Sequence, residues 1–321
     1  MSKSSSSPVR IWLDTDPGFD DYMAWALLQA DPRFSLEGVG VVAGNAPLER
    51  TLSNALRIKA MHGLAVPVHA GCDRPLAQAQ VTAQDVLGMD AMRSVGRKLP
   101  RTQAPVTPGH AVDALIAHVR ANPGQIVLLA VGPLTNVAMA FARAPDLPGL
   151  LKRLVIMGGS TDRGNTSAVA EFNIAADPEA AQEVFDSGIE VPMFGLNACR
   201  QVEVGPEHVA LLRGDGSPAA LLFADLLQAY TELITGRQRM AVYDPTPVAW
   251  LAHPEWFRLE PARVDIELVG RHTRGMTVCE FRVPRRAAPN ALVAMQADGG
   301  AVTDWMMGVL RPFLARAAEG A

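Results

Sequence analysis

Cysteine is scarce in this chain of 321 residues: Cys72, Cys199 and Cys279 lie far apart. They supply neither a disulfide framework nor metal-ligand spacing, and they fit reduced thiols in the cytosol. Positive charge is not concentrated anywhere. Lys and Arg number 29 against 33 Asp and Glu, and Arg285-Arg286 is too short to form a patch. The net charge of −4 therefore argues against nucleic acid or anionic membrane as partner. No stretch approaches the roughly 18 apolar residues of a membrane span. The start, Met-Ser-Lys and four serines, lacks the apolar core of a signal peptide. It reads as a disordered tail over residues 1–8, before a single domain over 9–321 in a soluble, cytoplasmic protein. Apart from that tail there is no linker, repeat or low-complexity stretch. With 49% hydrophobic and 19% charged residues, the composition is that of an ordinary globular protein with a large core.

What the chain does have is an acidic cluster near its start, Asp14-Thr15-Asp16-Pro17-Gly18-Phe19-Asp20-Asp21. Val9–Leu13 before it reads as a strand. Asp20–Ala30 after it reads as a helix with Met23, Ala24, Leu27 and Leu28 on its apolar face. Pro17-Gly18 suits a tight turn, and Asp20 is placed to cap the helix or to open its first turn. Four carboxylates on one turn repel each other unless a cation offsets the repulsion, and a hard divalent ion prefers oxygen ligands. A helix cap explains one Asp and not four.

Further along, the pattern predicts strands over 35–43, 66–68, 125–130, 154–157 and 191–194. Helices are predicted over 48–61, 111–119, 134–142 and 178–185. Alternating strands and helices imply βαβ units, hence an α/β fold with an open, mostly parallel sheet flanked by helices. Residues 72–107 read as a long loop with one short helix. The stretch 205–251 is helical, with breaks near Gly236 and at Tyr243-Asp244-Pro245. Strands over 264–269 and 277–283 form a small antiparallel addition near the C-terminus. Residues 291–295 add another strand, and 304–317 a closing helix.

Polar side chains gather where strands end: the acidic turn, Asn45, the Val131-Gly132-Pro133 turn, and Asn165, Glu171 and Asn173. In a parallel sheet these ends share one rim. Asp244 stands further off, at the start of a helix. Taken singly, Asn45 fits a turn residue, Glu171 a solvated acid, and Asp244-Pro245 an N-cap with proline in the first turn. Together they describe a metal site ringed by groups able to hold vicinal hydroxyls. An EF-hand loop is excluded, because its twelfth position counted from Asp14 is Trp25. A phosphatase of the haloacid-dehalogenase-like type, with Asp14 as nucleophile, stays open. It does not account for Gly18 or for the Asp20-Asp21 pair.

The motifs resemble those of the inosine-uridine-type nucleoside hydrolases. They are DTDPGFDD (14–21), VAGN (42–45), AGCDRPL (70–76), GPLTN (132–136), Met157-Gly158-Gly159, the loop from Asn165 to Asn173, and Asp244-Pro245. The resemblance implies hydrolysis of a ribonucleoside's N-glycosidic bond with bound calcium (Ca2+), by a homodimer or homotetramer. It assigns calcium to the carboxylates of Asp16, Asp21 and Asp244 and the carbonyl of Val131, with Asp16 also the general base. Asp20, Asn45, Asn165, Glu171 and Asn173 would hold ribose, with Met157 packed against the sugar.

Two departures stand out. Where many members have His before the late Asp, as acid for the leaving base, this chain has Tyr243. The loop Val81–Gly88, which often carries His, has none here. Tyr243 is thus the candidate donor, with Asp85 and Arg239 behind it, and the base remains unassigned. A silent nucleoside- or ribose-binding protein that kept the sugar shell is the second alternative. Asn197 also stands where the family often has Asp.

Overall fold

The computed structural model describes residues 7–234, 236 and 238–316. The expected serine tail, apart from Ser7 and Pro8, lies outside these, as does Ala317. The strands are β1 (Val9–Thr15), β2 (Phe34–Val41), β3 (Val68–Ala70), β4 (Ile126–Ala130), β5 (Arg153–Met157), β6 (Val191–Phe194), β7 (Glu203–Val204), β8 (Met240–Ala241), β9 (Phe257–Ile266), β10 (Thr277–Glu280) and β11 (Ala291–Ala297). Nine of them form one sheet in the order β10-β9-β11-β6-β5-β4-β1-β2-β3. Every pairing from β3 across to β11 is parallel. At the far edge β9 runs antiparallel to β11, and β10 antiparallel to β9. β7 and β8 make a separate antiparallel ribbon.

The central strands are apolar without interruption because both faces are covered. Ile11 and Leu13 point into one core, and Trp12 into the other. In β4, Val127 and Leu129 face the first core, while Ile126, Leu128 and Ala130 face the second. The helix Phe19–Ala30 is more deeply buried than its predicted apolar face required, with every residue from Phe19 to Leu28 inside. Strand order reverses between β1 and β4, so a crevice opens at their carboxyl ends, the usual ligand position in such sheets.

Several predicted boundaries shift. The predicted strand 264–269 begins seven residues earlier, at Phe257, because its first part pairs with β11 and its later part with β10. The predicted helical stretch 205–251 breaks first at Gly216, which takes φ 70° after Pro206–Asp215. The helix Pro218–Gln228 then runs into a π-helical turn, Ala229–Ile234. The closing helix starts at Gly299, capped by Asp298 accepting from the Ala301 N–H. Loop 72–107 holds one short helix, Gln84–Leu87. The loop is pinned near Val95–Arg97 by Asp225, whose carboxylate accepts from Arg97 and Arg213.

Candidate active site

The acidic turn leaves β1 at the strand-order reversal. Asp21 is locked in place: Oδ1 accepts from the Thr15 hydroxyl and the Asp16 N–H, and Oδ2 from the Gly18 N–H and the Asn45 amide. Asp20, Asp21 and Asp244 are buried, with one carboxylate oxygen from each within 4.8 Å of the others. Asp16 adjoins them. Its Oδ2 accepts from the Asn45 N–H at 2.6 Å, while its Oδ1 is buried with no donor. Two glycines make room for that carboxylate. A Cβ on Gly44 would sit 2.1 Å from Asp16 Oδ2, and one on Gly132 2.6 Å from Oδ1.

Burial, reinforced by repulsion from Asp21, pushes the Asp16 carboxyl well above its ordinary range. Burial and then Asp20, Asp21 and Asp16 do the same to Asp244. Asp20 is pushed up to about 7 for the same reasons, burial and the nearby Asp21. Such a cluster of oxygen donors, one of them orphaned, fits a hard divalent cation that would neutralise it.

Asp14 does not belong to the cluster. It keeps the face of the sheet that Trp12 occupies, and its Oδ2 accepts from Asn136 at 2.9 Å. Asn136 in turn accepts from the Cys72 N–H, so Asp14 ties three segments of chain together. Asp14 is thus committed to a strut apart from the Asp20, Asp21 and Asp244 cluster, which argues against the nucleophile that the phosphatase reading needs. Asp244 takes the vacated place among the acids. Its side chain makes no capping bond to the helix Pro245–Ala252 that it precedes, so a cap does not account for it.

Beside the cluster lies a cavity of about 490 Å³. Asp20, Asn45, Val131, Met157, Glu171, Asn173 and Asp244 line its inner part, and Asn165 its rim. Glu171 caps the helix Phe172–Ala176, accepting from the Asn173, Ile174 and Gly159 N–H groups. Burial nevertheless pushes its carboxyl up to about 7. Asn173 donates to the Val131 carbonyl at 2.8 Å and to the Met157 carbonyl, fixing the ends of β4 and β5.

The lining is completed by Val81, Thr82, Asp85, Val86 and Leu87 from loop 72–107, and by Tyr230, Met240 and Tyr243. Tyr230, which sequence reasoning missed, donates its hydroxyl to Asp20 Oδ2 at 3.3 Å. The π-helical turn beginning at Ala229 carries it there, and no periodicity in the sequence marks that turn. Asn197 lies away from the cavity. It ties the Thr161 N–H to the Ala294 carbonyl, a structural latch.

Residues 11–304 match the profile of the family described as inosine-uridine preferring nucleoside hydrolase. The chain is 36% identical to the protein of that name from Crithidia fasciculata, over 91% of this chain and 94% of the relative. It is also 36% identical to a pyrimidine-specific ribonucleoside hydrolase of Shewanella woodyi, over 92% and 95% of the two chains. The chain belongs to the inosine-uridine preferring nucleoside hydrolase family. Its fold agrees with that of a purine-preferring ribonucleoside hydrolase from Gardnerella vaginalis, with a TM-score of 0.89 at 26% identity over 96% and 100% of the chains. A nucleoside hydrolase is an N-glycosyl hydrolase, and the reaction class of this enzyme follows from its membership.

In this nucleoside hydrolase every residue expected at the metal or the sugar lies in or beside one cavity, although they come from distant parts of the chain. His62 stacks on Phe313, His118 bonds Glu37, and no histidine is among the described lining residues.

Proposed function

We propose that this enzyme cleaves the N-glycosidic bond of ribonucleosides to ribose and free base, with calcium as its resident cation. The observation that carries the reading is the buried triple Asp20, Asp21 and Asp244 beside the orphaned Asp16 oxygen, opening onto a cavity walled by Glu171 and Asn173. Asp16, Asp21 and Asp244, with the Val131 carbonyl, would hold the cation. When bound there, it would supply the positive charge that acidifies a water molecule and attracts sugar hydroxyls.

Asp16 then takes the proton of the attacking water, its carboxylate oriented by the Asn45 N–H. Asp20, Asn45, Glu171 and Asn173 receive the ribose hydroxyls, Asn165 closes the rim, and Met157 supports the sugar face. Carboxylates fixed around the ring stabilise the oxocarbenium charge that develops at C1′ as the base departs. Tyr243 faces the leaving side. Burial pushes its phenol up to about 12, so it stays protonated at neutral pH and donates a hydrogen bond more readily than a proton.

Incubation with a panel of nucleosides and a reducing-sugar assay tests the proposal, with elemental analysis for the cation. Ribose release with bound calcium supports it. Phosphate release from phosphomonoesters, or saturable nucleoside binding without turnover, overturns it.

A further inference from the structure

The wall facing the leaving group is unlike the wall facing the sugar. Four carboxylates line the cavity: Asp20, Asp85, Glu171 and Asp244. Asp20 and Asp244 belong to the cation cluster, and Glu171 is held by three backbone N–H groups. Asp85 is different. It sits on the short helix Gln84–Leu87 with neither a hydrogen bond nor an ion pair among the described residues, and it shares the cavity lining with the apolar side chains of Val81, Val86 and Leu87. No Lys, Arg or His is among the described lining residues. Arg200 and Arg239, in a smaller neighbouring pocket, are matched by Asp162 and by Glu203 and Glu207. Among the described residues this part of the cavity therefore carries the unmatched carboxylate of Asp85 and the phenol ring of Tyr243, with the Tyr230 ring deeper beside Asp20, and it has no imidazole to protonate a departing base.

Ribosides differ in what their leaving group requires. A neutral nucleoside releases its base with the electron pair of the C1′–N bond, so the base leaves as an anion unless a proton reaches it. A riboside whose ring nitrogen is already quaternary releases a neutral base. The C1′–N pair neutralises the ring, water oxygen bonds to C1′, and the water proton is the only proton given up. Such a substrate needs no acid on the leaving side. In the ground state its cation is attracted by a carboxylate and by aromatic faces.

Resting on the hydrolase reading above, we propose that this enzyme accepts cationic N-ribosides of the pyridinium or N-alkylpurinium class, with Asp85 as the residue that selects for the positive charge. This part of the cavity is built to hold a cation rather than to protonate an anion.

The test compares three substrates of the holoenzyme: ribosylnicotinamide, which is cationic; uridine, which is neutral and needs a proton on its base; and p-nitrophenyl riboside, which is neutral and needs none. Cationic ribosides are also intrinsically more reactive than uridine, so the decisive quantity is a change in ratio. In Asp85→Asn, the kcat/KM ratio of ribosylnicotinamide to p-nitrophenyl riboside should fall about three- to fivefold, the range for an exposed charge contact. In the wild type the same ratio should fall as ionic strength rises. An Asp85→Asn ratio equal to that of the wild type overturns the proposal, as does a wild type that hydrolyses p-nitrophenyl riboside but not ribosylnicotinamide. Failure on all three substrates would instead remove the hydrolase reading beneath it. Asp85 is exposed on a surface helix, so the variant should fold, and circular dichroism checks that it does.

Discussion

On the sugar side of the cavity, Asp16, Asn45, Val131 and Met157 stand at or just beyond the ends of β1, β2, β4 and β5, and Asn173 reaches them from the helix Phe172–Ala176. Asp16 Oδ2 and the side-chain amides of Asn45 and Asn173 are tied into hydrogen bonds with the backbone. On the leaving-group side, Asp85 and Val86 come from a loop helix of four residues, Val81 from the loop just before it, and Tyr243 from the chain just beyond the small β7–β8 ribbon. Val81 and Val86 are 48% and 50% exposed, whereas Asp16 and Asp21 are each 1% exposed. The rigid side fixes the atoms that must be placed within a fraction of an ångström. The loose side meets whatever leaves, and it can change without disturbing the sheet.

If the sugar side is a fixed template, removing one hydroxyl from the substrate should be the most damaging change. A buried polar site rejects an analogue that lacks its partner by roughly 10⁴-fold in favourable cases. Uridine and deoxyuridine should therefore differ by that order in kcat/KM, and equal values would dissolve the distinction between the two walls.

Next in size, Asp16→Asn should slow turnover by about 10²–10⁴-fold, the usual contribution of a positioned base. Asp21→Ala should release the cation. Asp73→Ala, at an exposed position in a motif of equal apparent weight, should do neither. Stoichiometric calcium and full activity in Asp21→Ala would remove the assignment.

The two sides also differ in how legible they are in the sequence. The acidic turn can be read directly because strand, turn and helix lie within one continuous stretch, and local chemistry dictates local structure. Asp14 is misread for a reason that periodicity could have exposed. It lies two residues after Trp12 and so shares its face, while Asp16 has already left the strand. Asp244 belongs beside Asp21, 223 positions earlier in the chain, and only the resemblance to a family joins them in advance. Tyr230 was out of reach altogether. Its stretch reads as plain helix, and one π-turn decides where the ring points.

Electrostatics offers a third, smaller contrast. With the cation stripped by a chelator, burial holds the Asp14, Asp20 and Glu171 carboxyls up at about 7, against ordinary values near 4 in the unfolded chain. The folded state then binds more protons than the unfolded one, so stability is greatest below the unfolded values and declines as pH rises from about 4 to about 7. The chelated protein should melt at a lower temperature at pH 8 than at pH 5.5, and calcium should raise Tm more at pH 8. A chelated protein with the same Tm at both pH values would show that these carboxyls titrate normally.

A smaller effect than that of the base or the cation site lies on the loose side, at Tyr243, where this chain parts from the family pattern. Its phenol lines both the main cavity and the smaller pocket lined by Arg200 and Arg239. Burial, with Asp20 nearby, pushes it up to about 12, which weakens it as a proton donor and leaves it able to give a hydrogen bond. A hydrogen bond to an anionic leaving base in a partly buried site is worth about 1.5–3 kcal/mol, or roughly 10- to 100-fold in rate when lost. Tyr243→Phe removes only the hydroxyl and keeps the ring. Uridine, whose base departs with negative charge, should slow by up to that factor relative to p-nitrophenyl riboside, whose leaving group needs no acid. A wall-filling ring predicts equal, small losses on both substrates. That result would reject Tyr243 as donor, leaving Asp85 and Arg239 as the side chains to replace next. A slowed uridine reaction with an unchanged ratio of ribosylnicotinamide to p-nitrophenyl riboside would instead divide the leaving-group side in two, with Tyr243 serving anionic leaving groups and Asp85 cationic substrates.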